Sequence, residues 1–372
     1  MAVLIITFPD DMHAYALIWA LARRGVPCKL WSTEDFPEQQ RLTVRMSNSE
    51  DAQIEIASLA PAMDYEAVWL RHVTPPQSVS EKLAPADRPM ALSEAKRFVD
   101  GAIALTAPDA VWINPPETKR LANIKAHQLK VAKQVGFIIP ETVISNDPVV
   151  IRAFAREHNG DIIYKSFAPA SWRSSEKGTL WRLYTSALSP EVLSQDAAIT
   201  SCPGIYQARL SKQSDVRIVF FGDTFYGARI CSQVTEEGRL DFRSDLMHRA
   251  PLEAYPVAGR IYDQCNEFRK QLGLLHGSFD FVERPDGSLV FLEINEMGQF
   301  LWLEEKVSSL PLLDAFAAFS LEPVTSFCHR PNQDRAAFHD FIKSDDFARA
   351  REQCEAYWRS SNSASRENLY TE

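Results

Sequence analysis

Two apolar and aromatic runs, Ser278-Phe279-Asp280-Phe281 and Phe291-Leu292-Glu293-Ile294-Asn295, flank the segment Arg284-Pro285-Asp286-Gly287-Ser288. Strand-forming residues on either side of a Pro-Asp-Gly turn predict a hairpin. Folding about that turn sets Asp280 roughly opposite Glu293. Side chains alternate along a strand, so Glu293 and Asn295 are expected on one face and Leu292 and Ile294 on the other. Two carboxylates and an amide oxygen on a single face need a counter-charge, and hard oxygen donors of this kind suit Mg2+. A hairpin with one solvated face would show the same Glu-x-Asn pattern, so these residues alone leave both readings open.

With 372 residues, 45% of them hydrophobic, the chain can build two or three domains with cores of their own. A formal net charge of -9 argues against a dedicated nucleic-acid partner. Residues 161–250 carry 11 Lys/Arg against 10 Asp/Glu, so this part is +1 and the remainder -10. A neutral-to-basic middle in an acidic chain suits phosphates or an acidic peptide. The cysteines (Cys28, Cys202, Cys231, Cys265, Cys328, Cys354) are scattered without a CxxC or Cys/His cluster, which points away from zinc and from a disulfide framework. The opening MAVLIITFPDDMHAY has no basic region and carries acids after its apolar run, so it reads as a buried strand and not a signal peptide. No apolar run approaches 18 residues, so no membrane span is expected. A soluble, cytoplasmic protein is the expectation.

Val3 to Phe8, a helix over Met12 to Arg24 closed by Gly25, and Pro27 to Trp31 form a β-α-β start. It resembles a Rossmann-type half but lacks G-x-G-x-x-G, so a dinucleotide site is not expected. Tyr65 to Arg71 and Ala110 to Ile113 read as further strands, and Leu92 to Ala104 as a helix. Asn114-Pro115-Pro116 marks a boundary. Beyond it the spacing predicts one helix over Thr118 to Val135, with Leu121, Ile124, Leu129 and Ala132 near one face. Strands are expected over Ile138 to Ile144 and Ile162 to Lys165, and a Ser/Gly-containing loop over residues 167–180. Val216 to Phe221 and Thr224 to Cys231 pair about Gly222-Asp223. A helix over Tyr262 to Leu272 precedes the acidic hairpin, another is expected within 334–358, and Ser360 to Glu372 is a polar end.

Three cationic residues stand out: Lys125, Lys165 at the end of Ile162-Ile163-Tyr164-Lys165, and Arg217 alternating with Val216 and Ile218. Each alone is ordinary for a solvated position. Their order is not: the chain resembles the ATP-grasp ligases, and among them the microviridin-type peptide macrocyclases (graspetide synthetases). The resemblance runs from about Ile5 to Glu304. It rests on Asp11-Met12-His13-Ala14, Val68 to Arg71, Trp112 to Pro115, Asn123 to Pro148, Ile162 to Ser166, Ser214 to Ile230 and Leu292 to Glu304.

The resemblance implies an α/β fold with a Rossmann-like pre-ATP-grasp domain (1–115), a central ATP-grasp subdomain or lid (116–200), a C-terminal metal-binding subdomain (201–325) and a helical, polar tail (326–372). It implies ATP and Mg2+ as cofactors. Lys125 and Lys165 would hold the α- and β-phosphates, Arg217 would face the γ-phosphate and acyl group, and Asp280, Glu293 and Asn295 would be the Mg2+ ligands. Lys165 and Arg217 are the catalytic candidates, and Gln207, Ala208 and Leu210 belong to the adenine hinge. The activity implied is an ω-amide or ω-ester crosslink formed through an acyl-phosphate in a ribosomal precursor peptide (a leader plus an acidic, Thr/Ser/Lys-bearing core). No nucleic acid and no membrane are expected as partners, and a homodimer is left open.

Three positions depart from the family pattern. Ala208 stands where the hinge usually has Glu, His72 where a second Arg follows Arg71, and Glu296 adds a carboxylate after Asn295. Glu296 is expected to alter metal affinity or substrate choice. His13, His127, His248 and His276 are read as structural or surface residues, and Phe300 and Trp302 as core packing. Two further readings stand beside the macrocyclase: a ligase that adds amino acids to a protein or small peptide, and a non-catalytic ATP-binding scaffold that Ala208 would suit.

Overall fold

The computed structural model describes residues 1–360 apart from 35, 50, 62, 169, 174–179, 246–248 and 332–334. His248 and residues 361–372 of the polar end lie outside the described residues.

The first layer starts with β1 (Val3–Ile6), α1 (Met12–Ala22) and β2 (Cys28–Trp31), adds a small hairpin of β3 (Leu42–Arg45) and β4 (Gln53–Ile56), and continues with β5 (Ala67–Leu70), α2 (Arg88–Leu105) and β6 (Val111–Ile113). The parallel sheet has the order β2-β1-β5-β6. Alternation along β1 and β5 divides the core. Val3, Ile5, Ala67 and Trp69 pack on the α1 side, and Leu4, Ile6, Val68 and Leu70 on the α2 side. That double burial is why these strands are apolar at every position.

Two helices follow where the periodicity predicts one: α3 (Pro116–Ala122) and α4 (Lys125–Gln134). Ile124 is extended (φ -77, ψ 101) and breaks the run, leaving Leu121 and Ile124 exposed instead of on a buried face. Gln128 holds the break. Its Nε2 donates to Ala122 O (2.6 Å) and Ile294 O (3.0 Å), and its Oε1 accepts from Ile294 N (3.0 Å). Lys125 therefore opens a helix instead of lying inside one.

The central sheet, in the order β11-β8-β12-β7, is antiparallel. It is built from β7 (Thr142–Ser145), β8 (Ile162–Lys165), β11 (Ser186–Ala187) and β12 (Gly204–Ala208), with α5 (Pro148–Glu157), α6 (Pro190–Leu193) and α7 (Asp196–Ser201) beside it. The expected strand over Ile138 to Ile144 begins only after Pro140, since proline supplies no ladder donor. The expected loop 167–180 contains strand: β9 (Ala170–Arg173) pairs antiparallel with β10 (Leu180–Leu183). β12 belongs to this sheet, which thus runs past the sequence-read boundary at residue 200.

The last sheet has the order β15-β14-β13-β16-β17. Its strands are β13 (Ser214–Phe221), β14 (Thr224–Ile230), β15 (Leu252–Tyr255), β16 (His276–Glu283) and β17 (Leu289–Asn295). Val216, Ile218, Phe220, Phe279, Phe281, Phe291 and Ile294 pack one face against α4 and α8 (Arg260–Gln271), with Phe137 stacked on Phe291 at 5.4 Å. The opposite face of β13 carries Arg217, Val219 and Phe221; Phe221 packs on Phe300 and on Phe316 of α10 (Leu312–Phe319), which follows α9 (Leu301–Lys306).

The described part of the tail is less polar than expected. One helix within 334–358 becomes two, α11 (Phe338–Ile342) and α12 (Asp345–Ser360), which fold back on α1 and bury Phe341. Buried Asp314 ties this region to the first layer by accepting from Arg24 (2.6 Å), His329 (2.9 Å) and Ala336 N (2.9 Å).

Candidate active site

The acidic hairpin forms with Asp280 and Glu293 as register partners, but β17 contains an extra residue beside them. Phe281 pairs with Phe291 and Asp280 with Glu293, so Leu292 is bulged. The bulge overturns the alternation read from the sequence: Ile294 points into the core, whereas Leu292 lines the cavity on the site side. It also lets an acid and an apolar group stand side by side on the same face.

Each acid meets a cation. Arg217 Nε and Nη2 donate to the two oxygens of Asp280 at 2.8 and 3.0 Å, a bidentate pair that buries both groups. Burial disfavours the guanidinium charge, yet Asp280 more than offsets this and leaves Arg217 firmly protonated. Lys125 Nζ donates to Glu293 Oε2 at 2.5 Å across 168 residues of sequence. Burial pushes the Glu293 carboxyl up, while Lys125, Lys165 and Arg243 together pull it down to about 2. Lys165 is desolvated, which lowers its pKa against the attraction of Glu293. The fold thus gathers Lys125, Lys165, Arg217, Asp280 and Glu293. Asn295 follows on the same strand, its Oδ1 accepting from Met297 N (3.1 Å) and Gly298 N (3.3 Å).

Beside this cluster lies a cavity of about 450 Å3. Ile163, Lys165 and Gln207 line one wall from the central sheet; Val282, Leu292 and Leu240 line the other, with Ala208, Arg209 and Leu210 at the rim. Apolar side chains (Ile163, Leu240, Val282 and Leu292) among the cations Lys165, Lys212 and Arg239 suit a ring attached to an anionic group. At the rim, Ala208 N donates to Glu141 O and Arg209 N to Asp161 O, both at 3.0 Å.

Sequence reading missed the loop over the site. Asp241 accepts from Arg243 Nε (2.9 Å) and Nη2 (2.8 Å) and, from the central region, Thr185 N (3.2 Å) and Oγ1 (3.0 Å). Arg243 Nη1 then lies 3.9 Å from Glu293 Oε1, a fourth cation at the site. Asp215 anchors the base of this loop through Ser232 Oγ (2.5 Å) and Lys212 Nζ (2.9 Å). Trp302 packs against the edge of the core as expected and also stacks on Phe242, and both rings lie against the Arg217 guanidinium at 5.7 and 5.6 Å. The pair of Asp241 and Arg243 two residues apart was the available signal.

Glu296 is buried, accepting from Asn123 Nδ2 (3.0 Å) and facing Lys119 Nζ at 3.5 Å. Its partners lie on α3 and the break after it, so it braces the hairpin against that helix. The motifs around Asp11, Arg71 and Asn114 do the same work from the first layer. Arg71 Nε donates to Asp11 Oδ2 (2.5 Å) and its Nη1 to Met297 O and Gly298 O (3.2 Å each). Asn114 Nδ2 donates to His276 O (2.9 Å) and Glu296 O (3.0 Å). His13 Nε2 accepts from Phe300 N (3.2 Å) and Leu301 N (3.3 Å); burial, reinforced by Arg71, keeps this imidazole neutral.

Two carboxylates paired across adjacent strands fit a divalent cation, which Asp280 and Glu293 would hold. Among the described residues no third acid, histidine or cysteine joins them.

Three sheets with a charged crevice between the central and last ones have the architecture of an ATP-grasp fold preceded by a pre-ATP-grasp domain. Residues 2–120 match the MvdD pre-ATP grasp domain family. Among solved structures, the chain is similar to the macrocyclase MdnC bound with precursor peptide MdnA from Microcystis aeruginosa MRC. That likeness has 26% identity, a TM-score of 0.74, and covers 86% of this chain and 99% of that one. A RiPP-associated ATP-grasp ligase of Chryseobacterium gregarium, in complex with ADP and a leader and core peptide, is 21% identical with a TM-score of 0.78 (87% and 97% covered). The ATP-grasp ligase PsnB, complexed with a phosphomimetic variant of its minimal precursor, Mg and ADP, is 22% identical with a TM-score of 0.66 (86% and 98% covered). No curated protein matches the sequence. No helix among the described residues is long and apolar enough to cross a membrane.

Proposed function

We propose that this chain is an ATP- and Mg2+-dependent ligase that closes ω-amide or ω-ester crosslinks within a ribosomally made precursor peptide. One observation carries the reading: four cations, Lys125, Lys165, Arg217 and Arg243, converge on the paired acids Asp280 and Glu293 beside a cavity of about 450 Å3. The likeness to MdnC with its precursor peptide supports the substrate class.

In this reading Gln207, Ala208 and Leu210 receive adenine, Lys125 and Lys165 neutralise the α- and β-phosphates, and Arg217 faces the γ-phosphate. Asp280, Glu293 and Asn295 hold Mg2+, which when bound shields the phosphate charge. A peptide Asp or Glu carboxylate attacks the γ-phosphorus to give an acyl-phosphate and ADP. A Lys amine, or a Thr or Ser hydroxyl, then attacks the acyl carbon and phosphate leaves. Phosphorylation is needed because a carboxylate is a poor electrophile, and the cations stabilise charge on the transferring oxygens. The central sheet closes the site and the leader docks on it. The reaction takes place in the cytoplasm, with no nucleic acid or membrane involved.

Co-expression with a candidate precursor, followed by mass spectrometry, tests this. Loss of about one water mass per ring, dependent on ATP, is expected. An unchanged peptide mass with an intact leader, when the enzyme is soluble and ATP-replete, contradicts it.

A further inference from the structure

Thr185 reaches across the crevice. It lines the cavity and stands just before β11, whose Ser186 is the register partner of Tyr164, so it sits close to Lys165 at the end of β8. Its N and Oγ1 donate to Asp241 Oδ2 at 3.2 and 3.0 Å. Among the described residues these are the hydrogen bonds that join the central sheet to the loop over residues 232–245. The same carboxylate holds Arg243: Oδ1 accepts from its backbone N (3.1 Å) and Nε (2.9 Å), and Oδ2 from Nη2 (2.8 Å).

The loop is fastened to its own side of the crevice without Thr185. Asp215 on β13 accepts from Ser232 Oγ (2.5 Å), and Asp245 accepts from the Arg249 and Ala250 N–H groups (2.7 and 2.9 Å). Phe242 stacks on Trp302. Arg243 is the loose member, because its side chain is 34% exposed and a long side chain in contact with water has many rotamers open to it. The bidentate grip of Asp241 selects one of them and leaves Nη1 facing Glu293 Oε1 at 3.9 Å. Two of the donors that hold this carboxylate thus come from the opposite wall.

We infer that Thr185 and Asp241 are positioning residues that tie the aim of Arg243 to closure of the crevice. When the central sheet docks, Thr185 and Lys165 arrive together, and Thr185 fixes the carboxylate that points Arg243 at the phosphates. One cation from each wall is then presented in the same step, and the charge is neutralised only as water is excluded. With the sheets apart, Asp241 loses the two Thr185 donors, and water screens its pairing with Arg243. The inference rests on the reading that the charged cluster receives ATP.

A double-mutant cycle on ATP binding with Mg2+, measured by calorimetry on the full chain, tests this. Arg243→Gln is expected to weaken binding about tenfold or more and Thr185→Val about threefold or more. Thr185→Ser, which keeps the hydroxyl, should bind like wild type. In the Arg243→Gln background Thr185→Val should change binding by less than about twofold, since its effect passes through the guanidinium. Thr185→Ala completes the cycle if the valine variant does not fold. A Thr185 loss of equal size in both backgrounds marks a plain structural or direct ATP contact and overturns the inference. So does the absence of any loss in Thr185→Val or in Arg243→Gln, and each of these results leaves the proposed function standing. A wild-type protein that binds no ATP at millimolar levels overturns both.

Discussion

Lowering the pH from 7.5 to 5 perturbs the join between the first layer and the acidic hairpin through His13. Its Nε2 accepts two backbone N–H groups, from Phe300 and Leu301, so protonation there would turn an acceptor into a donor facing donors. Burial and the nearby Arg71 push in the same direction, and the folded-state pKa lies well below the ordinary 6.5. Below pH 6.5 the unfolded chain takes up a proton that the folded form refuses, so stability falls as the pH falls. For a group that stays neutral in the fold, the loss at pH 5 depends only on the unfolded pKa. It is RT times ln(1 + 10 to the power 1.5), or about 2 kcal/mol. His72, desolvated beside Arg71 and Lys119, adds a loss of the same sign. Urea denaturation at pH 7.5, 6.5 and 5.0 measures this. His13→Gln keeps a carbonyl acceptor but does not titrate, so its stability should fall by about 2 kcal/mol less than wild type over that range. Equal losses in the two proteins would refute the role assigned to His13.

Glu293→Gln and Lys165→Ala should each lower ATP turnover with the correct peptide by roughly a hundredfold or more, since each removes charge from the proposed phosphate and metal site. Near-wild-type phosphate release by both would break the site assignment. Phe281→Ala opens the ring cluster of Phe137, Phe268 and Phe291 and should cost about 3–5 kcal/mol in chemical denaturation; a loss under 1 kcal/mol would mean the cluster is loosely packed. Glu296→Gln should destabilise the protein by about 1–3 kcal/mol through Lys119 and Asn123. It should leave the Mg2+ dependence of ATP binding unchanged, and a shifted Mg2+ requirement would return Glu296 to the site.

Elements whose pattern is local were legible from residues alone. The all-apolar β1 and β5, the α1 helix ending before Gly25, and the turn that places Asp280 opposite Glu293 follow from periodicity and turn chemistry. Elements set by distant partners were not. Periodicity could not show the break at Ile124, because Gln128 holds it through Ile294, and without it Lys125 would not open its helix at Glu293. Nor could strict alternation reveal the bulge that sends Leu292 to the cavity. Arg243 escaped notice and Trp302 was read only as core packing because a charged loop residue and an aromatic at the start of a helix have ordinary uses; only their closeness to Glu293 and Arg217 sets them apart.

By itself, then, the order of residues determined where the doubly buried strands and the acidic hairpin form and which side chains carry the charge. The tertiary structure decided which charges meet. Lys125 and Glu293 are separated by 168 positions and Arg217 and Asp280 by 63, and no local propensity reports on such pairs. Their desolvation raises the energy of each charge alone and makes the pairing necessary once packing brings them together.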